Sequence, residues 1–299
     1  MKSKLSQSFP DGAWPYLFLL PYLIGFSLFI IGPLTNACIG SFTDWCLFRP
    51  ERTFIGAENF VKLFQDESFR ISTINTIYYV VALVPLQTTL AMLLALLVNR
   101  TFRGVTFFRN VYFAPFVMSL ASIGMVWSWL YTTDIGLVNR VLSTFSISPP
   151  VWLHDPKWAM PAVIIASVWR NVGYYMVIFL AWLQNVPAEL IEASQVDGAT
   201  AWHRFRHIIL PLLTPAIFFT IMIGVILGFQ VFDITYIMTQ GGPSQATTTL
   251  LMFIYKKGLT SGNLGYASAA SLVLLIMMLI FTILYFMGQK KWVFYQGRN

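Results

Sequence analysis

The sequence predicts an all-α integral membrane protein with six transmembrane helices. Three observations lead there. Apolar residues fill 57% of the 299 positions and charged residues only 10%. The apolar residues gather into six stretches, each close to or above the roughly 20 residues a helix needs to cross a bilayer. Basic residues near the stretch ends favour alternate connections, the bias that sets the orientation of a multi-spanning chain.

The predicted spans are Trp14–Gly32, Ile71–Val98, Phe108–Tyr131, Ala159–Leu183, Leu212–Phe232 and Ala267–Met287. The first is punctuated by Pro15, Pro21 and Pro33. Membrane helices tolerate proline where packing re-satisfies the backbone. The stretch is too long for a signal peptide and no small-residue cleavage site follows it, so it is expected to be retained. Cys38 and Cys46 lie in the connection that follows. They are able to pair on an oxidising face, but two separate thiols fit better, because pairing geometry is demanding and Cys38 stays close to the first helix. Residues 54–76 place apolar side chains at helical spacing among charges, an amphipathic surface helix in which Phe60, Leu63 and Phe64 are packing residues. The third span ends near Trp127 and Trp129, residues that favour the membrane boundary. The loop after it carries Pro149, Pro150, Trp152 and Trp158. It suits partner docking and interfacial anchoring equally.

The fourth span holds Arg170 and Asn171 about halfway along, with Tyr174 one turn on. A cation there demands a partner, water or a cavity. Two readings stay level: Arg170, Asn171 and Tyr174 face a translocation path, or Arg170 is structural and paired within an assembly. Near the end of the fifth span Gln230 and Asp233 interrupt the apolar run three residues apart, a spacing that predicts one helical face, with Phe229 and Phe232 beside them. Asp233 suits a partner of Arg170 or a boundary carboxylate facing water. The last span begins with Ala267, Ser268, Ala269, Ala270 and Ser271, small residues that allow close helix packing.

Orientation follows from charge. Lys2 and Lys4, the cluster Arg100, Arg103 and Arg109, then Arg204 and Arg206, and finally Lys290, Lys291 and Arg298 all fall on one side. That side carries ten basic and four acidic residues, against eight and eight on the other. It is expected to be cytoplasmic, with both termini inside. The net charge of +7 is thereby explained by topology and does not argue for nucleic acid. Residues 1–13 are then a cytoplasmic N-terminus, 14–287 the six-span domain and 288–299 a cytoplasmic tail.

Between spans four and five lies the longest structured polar interruption, VPAELIEASQVDGATAWHRFRHIILP, residues 186–211. Pro187 suits the first turn of a helix, Glu189 and Glu192 its electropositive end, and Asp197-Gly198 a turn. Thr200 suits the cap of a second short helix carrying Arg204 and Arg206 toward its far end. By pattern alone this is an amphipathic hairpin in the lipid interface. However, Glu192-Ala193-Ser194, then Gly198, then Ile209-Leu210-Pro211 resemble the EAA signature of permease subunits of bacterial ATP-binding-cassette importers, with serine at the signature's third place, where the family has alanine. Residues 54–76, Gly241-Gly242-Pro243, Thr247–Thr249 and IYKKGLTSGNLGYASAAS resemble the carbohydrate branch, the maltose and glycerol-3-phosphate type.

The resemblance implies a non-catalytic transport subunit in a bacterial inner membrane. Its partners would be a second homologous permease, two ATPase subunits that bind ATP and Mg, and an extracellular or periplasmic solute-binding protein. It implies ATPase coupling through Glu192, Ala193, Gly198, Trp202 and Phe205. Arg170, Asn171, Tyr174, Phe229 and Gln230 match places that line the solute cavity in a maltose-type permease, and Asp233 joins them by position.

This chain has no GxxxxGK[ST] loop, so energy for active import has to come from a partner. His203 and His207 are four apart, but Arg204 stands where a zinc-protease helix has glutamate, and no metal site is expected. The rival class, an ion-coupled secondary transporter, calls for a mid-membrane acid, and the sequence offers only Asp233 near a boundary. A membrane enzyme needs a convergent acid, base or nucleophile, which the sparse ionisable residues do not supply.

Overall fold

A computed structural model describes residues 14–49, 51–100 and 102–294. The described chain is helical; its one extended pairing is an isolated bridge between Thr43 and Phe54. Among the described residues five helices are long and apolar enough to cross a membrane, and a bent pair brings the number to six where it is counted as one span. The expected N-terminal segment 1–13 and the end of the tail, with Arg298, lie outside the described residues. The chain divides into two compact units, 14–65 with Ile254–Val273, and Asp66–Phe253 with 274–294.

In the first unit, α1 (Trp14–Phe26) runs through a π-helical turn at Ser27–Ile31 into α2 (Gly32–Gly40). The first span therefore extends to Gly40, eight residues past the expected end, and Cys38 is inside it. Pro33 explains the turn. A proline ring collides with the carbonyl four residues back, and the wider turn, closed by Gly32 N–H onto Ser27 O, takes up the displacement. Both cysteines are free thiols. The carbonyls of Ser41 and Thr43 accept from Asn59 Nδ2 of α3 (Glu58–Gln65), each at 2.9 Å, so a buried amide ties the helix end to the surface helix. In the loop between, Asp44 Oδ1 accepts from Thr53 N–H at 2.7 Å, which holds its carboxyl below the usual carboxylate range.

In the second unit, Asp66 caps α4 (Glu67–Val98) by accepting from Ser68 N–H at 2.8 Å. α5 (Val105–Val117) and α6 (Leu120–Leu130) follow, then the short α7 (Leu137–Thr144), and α8 (Pro156–Gln184), capped by Asp155. The third span expected over Phe108–Tyr131 is not one continuous helix. α5 and α6 meet at 100°. Met118 and Ser119 adopt extended backbone (ψ 152° and 131°), which no continuous helix allows. Asn139 anchors α7: its Nδ2 donates to the carbonyls of Thr132 and Thr133, and its Oδ1 accepts from buried Trp152.

The core is built on α4 and α8. Ala91 and Ala95 leave room for Met176, Phe179 and Leu183, the small-against-large packing membrane helices use in place of a hydrophobic drive. Gly173 of α8 lies against the α5 backbone, where a Cβ would come within 1.9 Å of Tyr112 O. After α8 come α9 (Ala188–Val196), α10 (Ala201–Arg204), a π turn at Phe205–Ile209 and α11 (Leu210–Phe229). Gly224 and Gly228 bring α11 against Gln87 and Val80 of α4.

α12 (Asp233–Thr239) is followed by loop 240–249, α13 (Leu250–Tyr255) and α14 (Leu264–Gln289). The loop is held by its threonines. Thr247 donates to Gly242 O, Thr248 to Gly241 O and Thr249 to Val231 O. From α4, Asn75 Nδ2 donates to the carbonyls of Gln245 and Thr248, and Thr76 Oγ1 accepts from Leu250 N–H at 2.8 Å. The GGP and threonine run thus makes a plug fastened to α4 by Asn75 and Thr76.

Candidate functional site

Two places gather the singled-out residues. The first is a cavity of about 280 Å³ in the second unit. α11 stops at Phe229, Gln230 caps it, and Phe232 (φ −141°, ψ −58°) breaks the chain before α12 begins at Asp233. Gln230 and Asp233 therefore do not share a helical face as expected. They stand on either side of a helix break, and a break in the membrane is tolerated where it lines a cavity. Both line this one, with Arg170, Asn171 and Tyr174 of α8 opposite. Phe229, expected on the path, is 8% exposed and not on the wall; as the last residue of α11 its ring turns into the core, and Phe232 takes the lining place.

Arg170 is half-buried. Its Nη1 donates to Asn171 Oδ1 at 2.9 Å, its Cζ lies 5.1 Å from the Phe116 ring centroid, and its buried Nε makes no hydrogen bond. Asp233 is exposed, and the ion pairs among the described residues, Lys62–Glu58 and Arg70–Glu67, include neither it nor Arg170. Phe116 and Tyr174 stack at 4.5 Å. Tyr79 donates to Ser167 at 2.9 Å, and Gln87, 1% exposed, has an Oε1 without a hydrogen bond. Reading the sequence missed Phe116, Tyr79, Ser167 and Gln87. Gln87 was visible as an amide deep in an apolar span; Phe116 carries no local signal, because only the α5–α6 bend delivers it.

The second place is loop 186–211. Pro187 is the N-cap of α9, one place before the first turn expected for it, and Glu189 lies in that turn. Gly198 ends the helix in the left-handed region (φ +75°), with Ala199 N–H on Ser194 O and Gly198 N–H on Gln195 O. Ser194 fits the place of an alanine because its buried hydroxyl turns back to Ile191 O at 2.7 Å, leaving nothing unpaired. Thr200 caps α10, accepting from His203 N–H, and Arg204 Nη1 donates to Ala199 O at 2.7 Å, fastening the turn. Glu192 and Ala193 are exposed, Trp202 is 67% exposed, and Phe205, partly buried, lies 5.6 Å from its ring. The His203 and His207 rings stack at 4.1 Å.

The second short helix is not separate as expected. Through the π turn before Pro211 it continues into α11, one helix of 29 residues from Ala201 to Phe229. At 1.5 Å per residue it is roughly 43 Å long. One end carries the exposed Trp202; the other opens on the cavity at Gln230.

A family described as "Binding-protein-dependent transport system inner membrane component" matches residues 73–292. The trehalose/maltose transport system permease protein MalF of Thermococcus litoralis is 35% identical over 272 residues, 90% of this chain and 91% of that one. The sn-glycerol-3-phosphate transport system permease protein UgpA of Yersinia pestis is 32% identical over 285 residues, 94% and 96%. A chain of a bacterial alginate ABC transporter, solved with an alginate pentasaccharide-bound periplasmic protein, superposes with a TM-score of 0.83 at 24% identity, covering 93% of this chain and 95% of that one. The fold is that of an importer permease. This chain belongs to the family of inner membrane components of binding-protein-dependent transport systems and is a membrane-spanning transport subunit of such an importer.

Proposed function

We propose that this chain forms, with a second homologous permease, the path for a sugar or oligosaccharide handed over by a solute-binding protein, and that two ATPase subunits drive it through loop 186–211. The observation that carries the reading is the helix from Ala201 to Phe229, which joins an exposed helical hairpin to a polar cavity. A force applied at Trp202 moves the break at Gln230 as one rod. The names of the relatives, which concern trehalose/maltose, sn-glycerol-3-phosphate and alginate, support a saccharide-like solute.

On this reading ATP and Mg are bound by the partners. Glu192, Ala193, Trp202 and Phe205 contact the ATPase, and Gly198 shapes the turn that presents them. Arg170, Asn171, Tyr174, Gln230 and Asp233 face the solute; Phe229 supports the wall from behind. The hairpin and both termini face the cytoplasm, in keeping with the basic connections. The test is affinity purification from the native membrane followed by ATPase assay. A second permease and an ATPase should co-purify, with hydrolysis stimulated by loaded binding protein. A homogeneous protein without an ATPase, transporting on an ion gradient, contradicts the proposal in favour of a secondary transporter.

A further inference from the structure

Arg170 brings a cation into a membrane span, where Asp233 attracts it through space without forming an ion pair. Such a cation is retained where something pairs with it. Asn171 takes Nη1, the Phe116 ring backs the guanidinium, and the buried Nε makes no hydrogen bond. The guanidinium lines the cavity, where a planar cation suits an oxyanion better than a neutral hydroxyl. The carboxylate on the cavity wall, Asp233, is exposed and makes no ion pair with it. On the same cavity wall the stacked Phe116 and Tyr174 suit a hydroxylated ring.

Resting on the reading of this cavity as part of the solute path, we infer that the solute is an acidic saccharide, and that Arg170 is the counter-charge for its carboxylate or phosphate. Asn171 is then a positioning residue: by accepting from Nη1 it fixes the guanidinium on the cavity wall. Neutral sugars lack the charged group that this cation is placed to meet.

The experiment uses the complete transporter in lipid nanodiscs. Cys38 and Cys46 are replaced by serine, and Leu227→Cys, on the cavity wall and 55% exposed in the parent chain, is the reporter. The rate of maleimide labelling is measured with trigalacturonate, glucose 6-phosphate or maltotriose as protecting probe. At least one acidic probe should protect at a concentration about tenfold or more below maltotriose, as a charge-assisted bidentate pair implies. That advantage should vanish in Arg170→Gln and return in part in Arg170→Lys. Whichever acidic probe protects tells carboxylate from phosphate. Equal protection by maltotriose in the unsubstituted Arg170 background overturns the inference and leaves the saccharide path standing; this comparison does not depend on any Arg170 variant folding. An advantage that survives Arg170→Gln also overturns it. If none of the three probes protects at any concentration, the path reading fails with it.

Discussion

Gly198 and Gly173 are both glycines for backbone reasons, but the reasons differ and so do their predicted defects. Gly198 has φ +75° with nothing within 4 Å of an added Cβ. A side chain there meets only left-handed backbone strain, about 1–2 kcal/mol. Gly198→Leu is therefore expected to insert and assemble normally while losing solute-stimulated ATP hydrolysis; normal uptake by this variant contradicts the coupling role. Gly173 has ordinary helical backbone, but a Cβ would drive into the Tyr112 carbonyl at 1.9 Å. Backbone yields poorly, so Gly173→Ala should cost about 1–3 kcal/mol or more, read as a lower melting temperature in detergent. At this scale the sequence was half legible. The Asp197-Gly198 turn and the Thr200 cap follow from local chemistry, whereas nothing local marks Gly173, because its constraint comes from a helix 60 residues away. Phe229 was misplaced for a similar reason. Which way a ring points at a helix end depends on where the helix stops, and an unbroken apolar run does not show that.

The elements that escaped the sequence are its irregular ones. The two π turns that lead into proline, before Pro33 and before Pro211, lengthened the first span and fused the hairpin to α11. The sharp bend between α5 and α6 escaped because length and composition report that a segment is apolar and say nothing of its continuity. The plug at 240–249 was readable as a turn from its GGP run, but its threonines gained meaning only when each was seen satisfying a backbone group across 5 to 18 residues. Thr76 is its anchor on α4. Thr76→Val preserves shape but strips the acceptor from Leu250 N–H, and an orphaned buried donor costs about 1–3 kcal/mol. Thermal unfolding of the purified complex should show this loss, and Thr76→Ser should restore most of it. An unchanged melting temperature in Thr76→Val would mean that the Thr76 bond to Leu250 contributes nothing to holding the plug.

At the scale of the molecule, helix number and family were legible because membrane composition and the loop signature are coarse, repeated signals. Sidedness is argued from charge alone and is open to direct test. In intact spheroplasts an impermeant maleimide should label a cysteine at Phe145 and leave cysteines at Arg103 and His203 untouched until the membrane is opened. The reverse pattern would invert the topology and place the hairpin out of reach of any ATPase. The central claim is that this chain moves solute only when an ATPase partner turns the helix that begins at Ala201. The most direct measurement is solute uptake by proteoliposomes holding the purified complex and its binding protein, with ATP inside and with ionophores present. The account predicts uptake that requires ATP and is unaffected when ion gradients are collapsed; uptake that proceeds without ATP and disappears with the gradients would contradict it.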